Sequence, residues 1–134
     1  MNTKILIGFL FILIGVGLII TAITIGFTTY KFIHDSTTAN GIVVRLNAGG
    51  SHPQIEFTLV SGQKISYPQG GLIFGYKPGD HLRVLYNPNN PMQTACIDSF
   101  GALWFSSLFL STIGIAFSSI GFLLVVCRNT SLWY

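Results

Sequence analysis

The richest cluster of chemically capable side chains lies between Tyr76 and Pro91, in Tyr-Lys-Pro-Gly-Asp-His-Leu-Arg-Val-Leu-Tyr-Asn-Pro-Asn-Asn-Pro. Lys77, Asp80, His81 and Arg83 fall close together there. An aspartate beside a histidine is the pairing that orients an imidazole for general acid–base work. The spacing argues against that use. Neighbours on a strand point to opposite faces, so Asp80 and His81 diverge. Asp80 also has a simpler role, as a turn residue whose carboxylate accepts from nearby backbone N–H groups. Three histidines, four acids and two cysteines are the whole inventory outside Ser, Thr, Tyr and Lys. No pair of them has metal-ligand spacing, and neither His-x-x-x-His nor Cys-x-x-Cys occurs. Gly49-Gly50 and Gly70-Gly71 lack the strand-then-helix context of a phosphate loop and read as turn glycines. We expect no catalytic residue, no cofactor, no metal and no small-molecule substrate.

These residues must be positioned by a chain that is mostly apolar. Only 8% of its 134 residues are charged and 50% are hydrophobic, against about 25% charged in a soluble domain. The apolar residues gather at the two ends. No charged side chain occurs between Ile5 and Phe27 or between Gly101 and Cys127. Each run exceeds the ~20 residues that cross about 30 Å of hydrocarbon at roughly 1.5 Å per residue. The sequence thus predicts two transmembrane helices, one within residues 1–33 and one within residues 99–134 followed by a short tail. The first is too long for the ~7–15-residue core of a signal peptide and is expected to remain as an anchor. No ionisable group lies inside either run, which argues against a proton or ion pathway built from this chain.

Both runs carry stripes of small residues. Gly8, Gly15 and Ala22 recur every seven residues, and Ser107, Ser111, Gly114, Ser118 and Gly121 are spaced four, three, four and three apart. Each set falls on one helix face, the arrangement that lets helix backbones approach closely. The two stripes predict packing as an antiparallel hairpin. Tyr30 and Lys31 suit a membrane interface at the end of the first span. Trp104 and Trp133 with Tyr134 bracket the second at ~44 Å, close to the full bilayer thickness.

The segment between, 34–98, reads as a small β-domain. His34 to Asn40 is a polar break, and Gly41 to Leu46 is rich in branched apolar residues. Ile55, Phe57 and Leu59 alternate with Gln54, Glu56 and Thr58, and Lys64 to Tyr67 pairs back across Ser61-Gly62 with Ile65 and Tyr67 inward. Pro78-Gly79 has the chemistry of a type II turn ahead of Asp80. Leu82, Val84 and Tyr86 then alternate against His81, Arg83 and Leu85. Asn87, Pro88 and Pro91 end that strand, because proline cannot donate to a ladder. A last strand at about Thr94 to Ile97 leads into the second span. Five short strands with tight turns and no crossover helix predict an antiparallel barrel or sandwich. The fold class is an α+β membrane protein.

Two spans put both termini on one side. Lys4 and Arg128 flank the spans there, which the positive-inside tendency makes cytoplasmic. The β-domain is then exported, periplasmic or extracellular, from a bacterial inner membrane. Cys96 and Cys127 sit at opposite ends of the second run, ~45 Å apart along a helix, too far for a disulfide. The net charge of +3 is scattered singly, with no basic stripe that would fit nucleic acid.

Gly41-Ile-Val-Val, Pro53-Gln-Ile-Glu-Phe-Thr, Ser61-Gly-Gln, Tyr76-Lys-Pro-Gly-Asp, Val84-Leu-Tyr-Asn-Pro-Asn-Asn-Pro and Ala95-Cys-Ile-Asp together resemble the uncharacterised bacterial membrane-protein family catalogued as domain of unknown function 3592. Its pattern is a span, a small β-domain with Gly-Asp-x-Val-x-Val-x-Tyr-x-Pro-x-x-Pro, then a second span. Leu82 stands where valine is common. The resemblance implies the same architecture and brings no activity.

Three functions fit this reading. The first is a non-enzymatic envelope protein whose β-domain binds or assembles with itself or another envelope protein. The second is a membrane immunity protein that neutralises a toxin acting on the envelope. The third is an accessory subunit of a membrane enzyme or transporter. The lipid bilayer is a partner in all three.

Overall fold

The computed structural model describes residues 2–127. By internal contacts the chain divides into two compact units. One joins α1 up to Gly26 with the helix from Ser106 onward, and the other is Phe27–Phe105.

Helix α1 (Thr3–Asp35) is 33 residues long, and α4 (Phe105–Val126) is 22. Both are long and apolar enough to cross a membrane. Asn2 caps α1, its side-chain oxygen accepting from Lys4 N at 3.1 Å, which meets an amide the helix itself leaves unpaired. In α1 the buried residues are Gly8, Gly15 and Ala22, and in α4 they are Gly114 and Gly121. They meet in rungs whose order is opposite along the two helices. A Cβ on Gly8 would stand 2.9 Å from Gly121 O, and one on Gly15 would stand 2.6 Å from Gly114 O. At the third rung Ser107 Oγ donates to Ala22 O at 2.9 Å. Phe11 stacks on Phe117 with ring centres 5.2 Å apart. Of the other small residues in the stripe, Ser111 bonds its own helix at Leu108 O, and Ser118 lies against Gly15. Contact this close is van der Waals attraction between backbones, available only where no side chain intervenes.

The second unit is built on one curled antiparallel sheet of strand order β3-β2-β1-β4-β5. Its strands are β1 (Thr37–Asn47), β2 (His52–Thr58), β3 (Lys64–Pro68), β4 (His81–Tyr86) and β5 (Cys96–Ile97). The polar break expected at His34 to Asn40, where the helix should end, shrinks to Ser36 alone. Helix α1 runs through Asp35, and Thr37 already pairs with Tyr86, because threonine is as much a strand former as a loop residue. Strand β1 is consequently long enough to pair with β4 through its first half and β2 through its second.

Two further expectations are corrected. The last strand is only Cys96–Ile97, since Pro91–Thr94 forms a helical turn, α2, with proline at its first position. Proline's fixed φ suits that start. The second apolar run is not one helix either. A short helix, α3 (Phe100–Leu103), precedes α4 and ends at Trp104. Gly101 lies so close to Leu72 that a Cβ there would meet Leu72 O. The loop Asn47 to Ser51 contains a 3-10 turn at Ala48–Gly50.

The core is one cluster of Val43, Ile55, Phe57, Ile65, Tyr67, Ile73, Val84, Tyr86 and Ile97, with Leu59 half-buried beside it. Phe57 packs edge-on against Tyr67 and tilted against Tyr86. Leu85 is also buried, outside that cluster and on the opposite face.

The rungs give a direct test. Gly15→Leu should lower the thermal stability of the detergent-purified protein by about 1–3 kcal/mol, the usual cost of overpacking. Gly17→Leu, where an added Cβ meets nothing within 4 Å, should leave the melting curve nearly unchanged.

Candidate interaction surface

The Tyr76–Pro91 stretch divides into two turns and a strand. Asp80 N donates to Lys77 O at 3.0 Å, and Lys77 N donates to Asp80 Oδ2 at 2.8 Å. Pro78 and Gly79 form the corners, with Gly79 at φ +96, a conformation glycine adopts without strain. The turn docks on β1, since Gly79 N donates to Val43 O and Val43 N donates to Asp80 O. That docking falls where the β1–β2 register shifts between Val43 and Arg45. Downstream, Asn87 Oδ1 accepts from Asn89 N, Asn87 O accepts from Asn90 N past Pro88, and Thr94 Oγ1 accepts from Asn87 N. These polar side chains are spent on backbone.

The buried polar side chain among the described residues is Gln69, 6% exposed. It follows β3 directly, and its carboxamide reaches across to β5. Gln69 Oε1 accepts from Ile97 N at 2.7 Å and from Tyr67 OH at 3.1 Å. Its Nε2 donates to Gly70 O at 2.8 Å and to Cys96 Sγ at 3.7 Å. All four bonds an amide can make are made. Sequence reading treats Gln69 as part of a loop breaker, and nothing local marks its reach, because the partners it meets on β5 lie 27 and 28 positions away.

Burial pushes the Cys96 thiol up, helped by the Asp98 carboxylate, while the Gln69 bond pulls it partly back. Burial likewise pushes the Tyr67 phenol up, with Cys96 adding to the effect. Neither is a reactive group at neutral pH.

The outer sheet face is different in kind. The registers place Ser66, Glu56, Ile42 and His81 in one row across β3, β2, β1 and β4. Lys64 and Thr58 form a pair beside it, as do Asn40 and Arg83. Asn40, Glu56, Thr58, Lys64 and His81 line a shallow groove of about 270 Å³. Arg83 is engaged by Asp98 through Nε at 2.6 Å and through its terminal nitrogen. Glu56, Lys64 and His81 make no ion pair among the described residues. Asp80 and His81 do not come together as a dyad, because Asp80 is held by its own turn. No group of three or more metal-ligating side chains forms among the described residues. Tyr30 is exposed at the end of α1, and Trp104 is half-buried between α3 and α4. Arg128, Trp133 and Tyr134 lie outside the described residues.

The outer sheet face thus presents Glu56, Lys64 and His81 without ion pairs among the described residues, on a chain that also carries two long apolar helices. Over 116 residues, 84% of this chain and 78% of the relative, the sequence is 50% identical to the immune protein Tsi4 of Pseudomonas aeruginosa. The chain belongs to the Tsi4 immune-protein family. No protein-family model and no solved structure matches it. Of the three functions open to the sequence, this relationship supports the protective one over the assembly module.

Two measurements probe the buried cluster. Gln69→Leu strands Ile97 N and Tyr67 OH, and should cost about 1–3 kcal/mol in thermal or chemical unfolding. The second is a pH series. Both raised groups are neutral when folded, so their stabilisation is complete below the unfolded values and is lost as pH rises. Stability should hold from pH 7 to about 8.5, then fall as unfolded Cys96 ionises and fall further above about 10 as unfolded Tyr67 does. Cys96→Ser should remove the first part of that decline.

Proposed function

We propose that this chain is a membrane-anchored immunity protein that protects its host by binding a toxin, with no chemistry of its own. The observation that carries the reading is the 50% identity to the immune protein Tsi4, spread over most of both chains. The outer sheet face suits the binding role, because partner recognition works best from side chains held by rigid strands. Its unpaired Glu56 and Lys64 offer charge, and His81 an exposed imidazole, without first breaking an internal pair.

Support for membrane insertion comes from which residues the helices bury. Small residues are inside, while Leu13, Ile23 and Phe27 are 73%, 66% and 70% exposed. Water would expel such a surface; lipid accepts it. Helix α4, at about 33 Å, matches the hydrocarbon thickness, and α1 exceeds it. An antiparallel hairpin of the two, with both termini cytoplasmic and the β-unit exported, places that face where an envelope-acting toxin operates.

The test is competition on a solid surface between the parent strain and a strain deleted for this gene. The deletion strain should be killed on contact with its parent, and a plasmid copy should restore it. Equal survival with and without the gene would sink the immunity reading. A copy carrying Glu56→Lys, Lys64→Glu and His81→Glu should reach the membrane at normal level yet protect poorly.

A further inference from the structure

Strand β3 (Lys64–Pro68) is an edge of the sheet, with β2 on one side and no strand on the other. The ladder shows which of its backbone groups are spent. Gln69 N donates to Pro53 O, and Leu59 N donates to Gln63 O. The pairs Ile55 with Tyr67 and Phe57 with Ile65 lie between those two at steps of two. Antiparallel pairs alternate between bonded and unbonded, so Ile65 and Tyr67 spend their N–H and C=O groups on β2. Those of Lys64 and Ser66, and the C=O of Pro68, point away from it. No backbone partner meets Lys64 or Ser66 there among the described residues, and Lys64, Ser66 and Pro68 are all exposed. Nor is this edge waiting for β5, because Ile97 N is already taken by Gln69 Oε1.

An exposed row of donors and acceptors is a template for one more strand, and this row fits itself. Consider an antiparallel copy of β3 laid along it, outward groups against outward groups. A register that sets Ser66 opposite Ser66 also sets Lys64 opposite Pro68, which has no N–H to give. A register that sets Lys64 opposite Lys64 stacks two cations. With Lys64 opposite Ser66, both residues of both copies exchange N–H and C=O, and Ile65 meets Ile65 on the inner face. The charges agree with that last register. Ser66 stands beside Glu56 in one outward row, so the second copy's Lys64 enters the row two strand spacings from Glu56, roughly 9–10 Å. A lysine and a glutamate together bridge that distance over the short Ser66, and neither has an ion pair within its own chain among the described residues.

We propose that two copies of this chain join through β3, antiparallel about a two-fold axis at Ile65, with Lys64 of each copy opposite Ser66 of the other. The pairing goes beyond the immunity reading and does not require it. The two meet at one point: a toxin that draws on Glu56 and Lys64 competes with the second copy for them.

Two measurements test it on the full chain in a Cys127→Ser background, with that chain alone as the blank. In the first, copies carrying Lys64→Cys and copies carrying Ser66→Cys, with tags of different size, are expressed together and their membranes oxidised with copper phenanthroline. Residues opposed in a bonded pair have Cα atoms about 5.5 Å apart, inside disulfide range. The mixed disulfide should form several-fold above either same-variant disulfide, whose positions are two residues out of register. Equal amounts of mixed and same-variant product, or none of either, would overturn the proposal. The second is energy transfer between donor- and acceptor-labelled Val60→Cys copies, labelled at the 91% exposed tip of the β2–β3 hairpin, at low protein density in phosphatidylethanolamine–phosphatidylglycerol vesicles. Ser66→Pro removes an outward N–H and leaves the β2 ladder its bonds. It should keep the melting curve and drop the transfer to the level of random collision. Ser66→Ala, which loses only the Oγ that accepts from Gln54 Nε2, should keep the transfer. Transfer that survives Ser66→Pro means that the copies meet through another surface. No transfer without either substitution means that the chain is a monomer. Either result overturns the pairing. Should Ser66→Pro not fold, the disulfide comparison decides. Neither assay contains a toxin, so failure here leaves the immunity reading where it stands.

Discussion

A five-stranded sheet that curls without closing leaves its first and last strands facing each other across a gap too wide for a backbone ladder. In this protein one carboxamide spans it. Gln69 extends β3, pairs its own N–H with Pro53 O, and sends its side chain to the Ile97 amide on β5. The bond is worth little net, but its absence leaves buried groups unpaired, and that asymmetry makes it decisive. The same amide gathers Tyr67 and Cys96, two groups whose ionisation burial opposes. What resembles a reactive centre by residue type is a seam.

The two apolar helices solve a different problem with the opposite chemistry. Ser107 bonds Ala22 O across them, and the rest of the seam is made by what is missing. Glycine at Gly8, Gly15, Gly114 and Gly121 lets carbonyl oxygens rest where a side chain would otherwise stand. Rungs seven residues apart keep to one face only when the helices wind slightly around each other, as heptad spacing requires. Large side chains are left on the outside, a distribution suited to hydrocarbon.

A protein that protects by binding a toxin, the role proposed for this chain, needs neither a nucleophile nor a metal. It needs a surface that is stiff, correctly charged and correctly located, since binding energy is lost whenever the contacting groups must first be ordered. Here β1 supplies the stiffness by pairing on both sides, and the turn at Pro78 and Gly79 is bolted to it at Val43. Of the polar residues of Tyr76 to Pro91 that look poised for chemistry, Asp80 is held in that turn and Arg83 is paired with Asp98, while His81 stands exposed on the outer face.

Much of this was legible in the sequence. The spans follow from run length, the alternation of Ile55, Phe57, Ile65 and Tyr67 follows from strand period, and the helix stripes follow from spacing alone. These are local rules in which every residue is judged against near neighbours. The sequence by itself determined the two helices, the β character of the middle, and the absence of any spaced catalytic motif. The tertiary structure alone decided that Gln69 closes the sheet, that Gly101 must admit Leu72, and that Leu85 is buried on the face opposite the core. It also turned Thr37 and Thr38 into strand, through their pairing with Tyr86 and Leu85. The physical reason is common to all of them. Each depends on a partner far away in the chain, and a residue's own type carries no record of who will stand beside it.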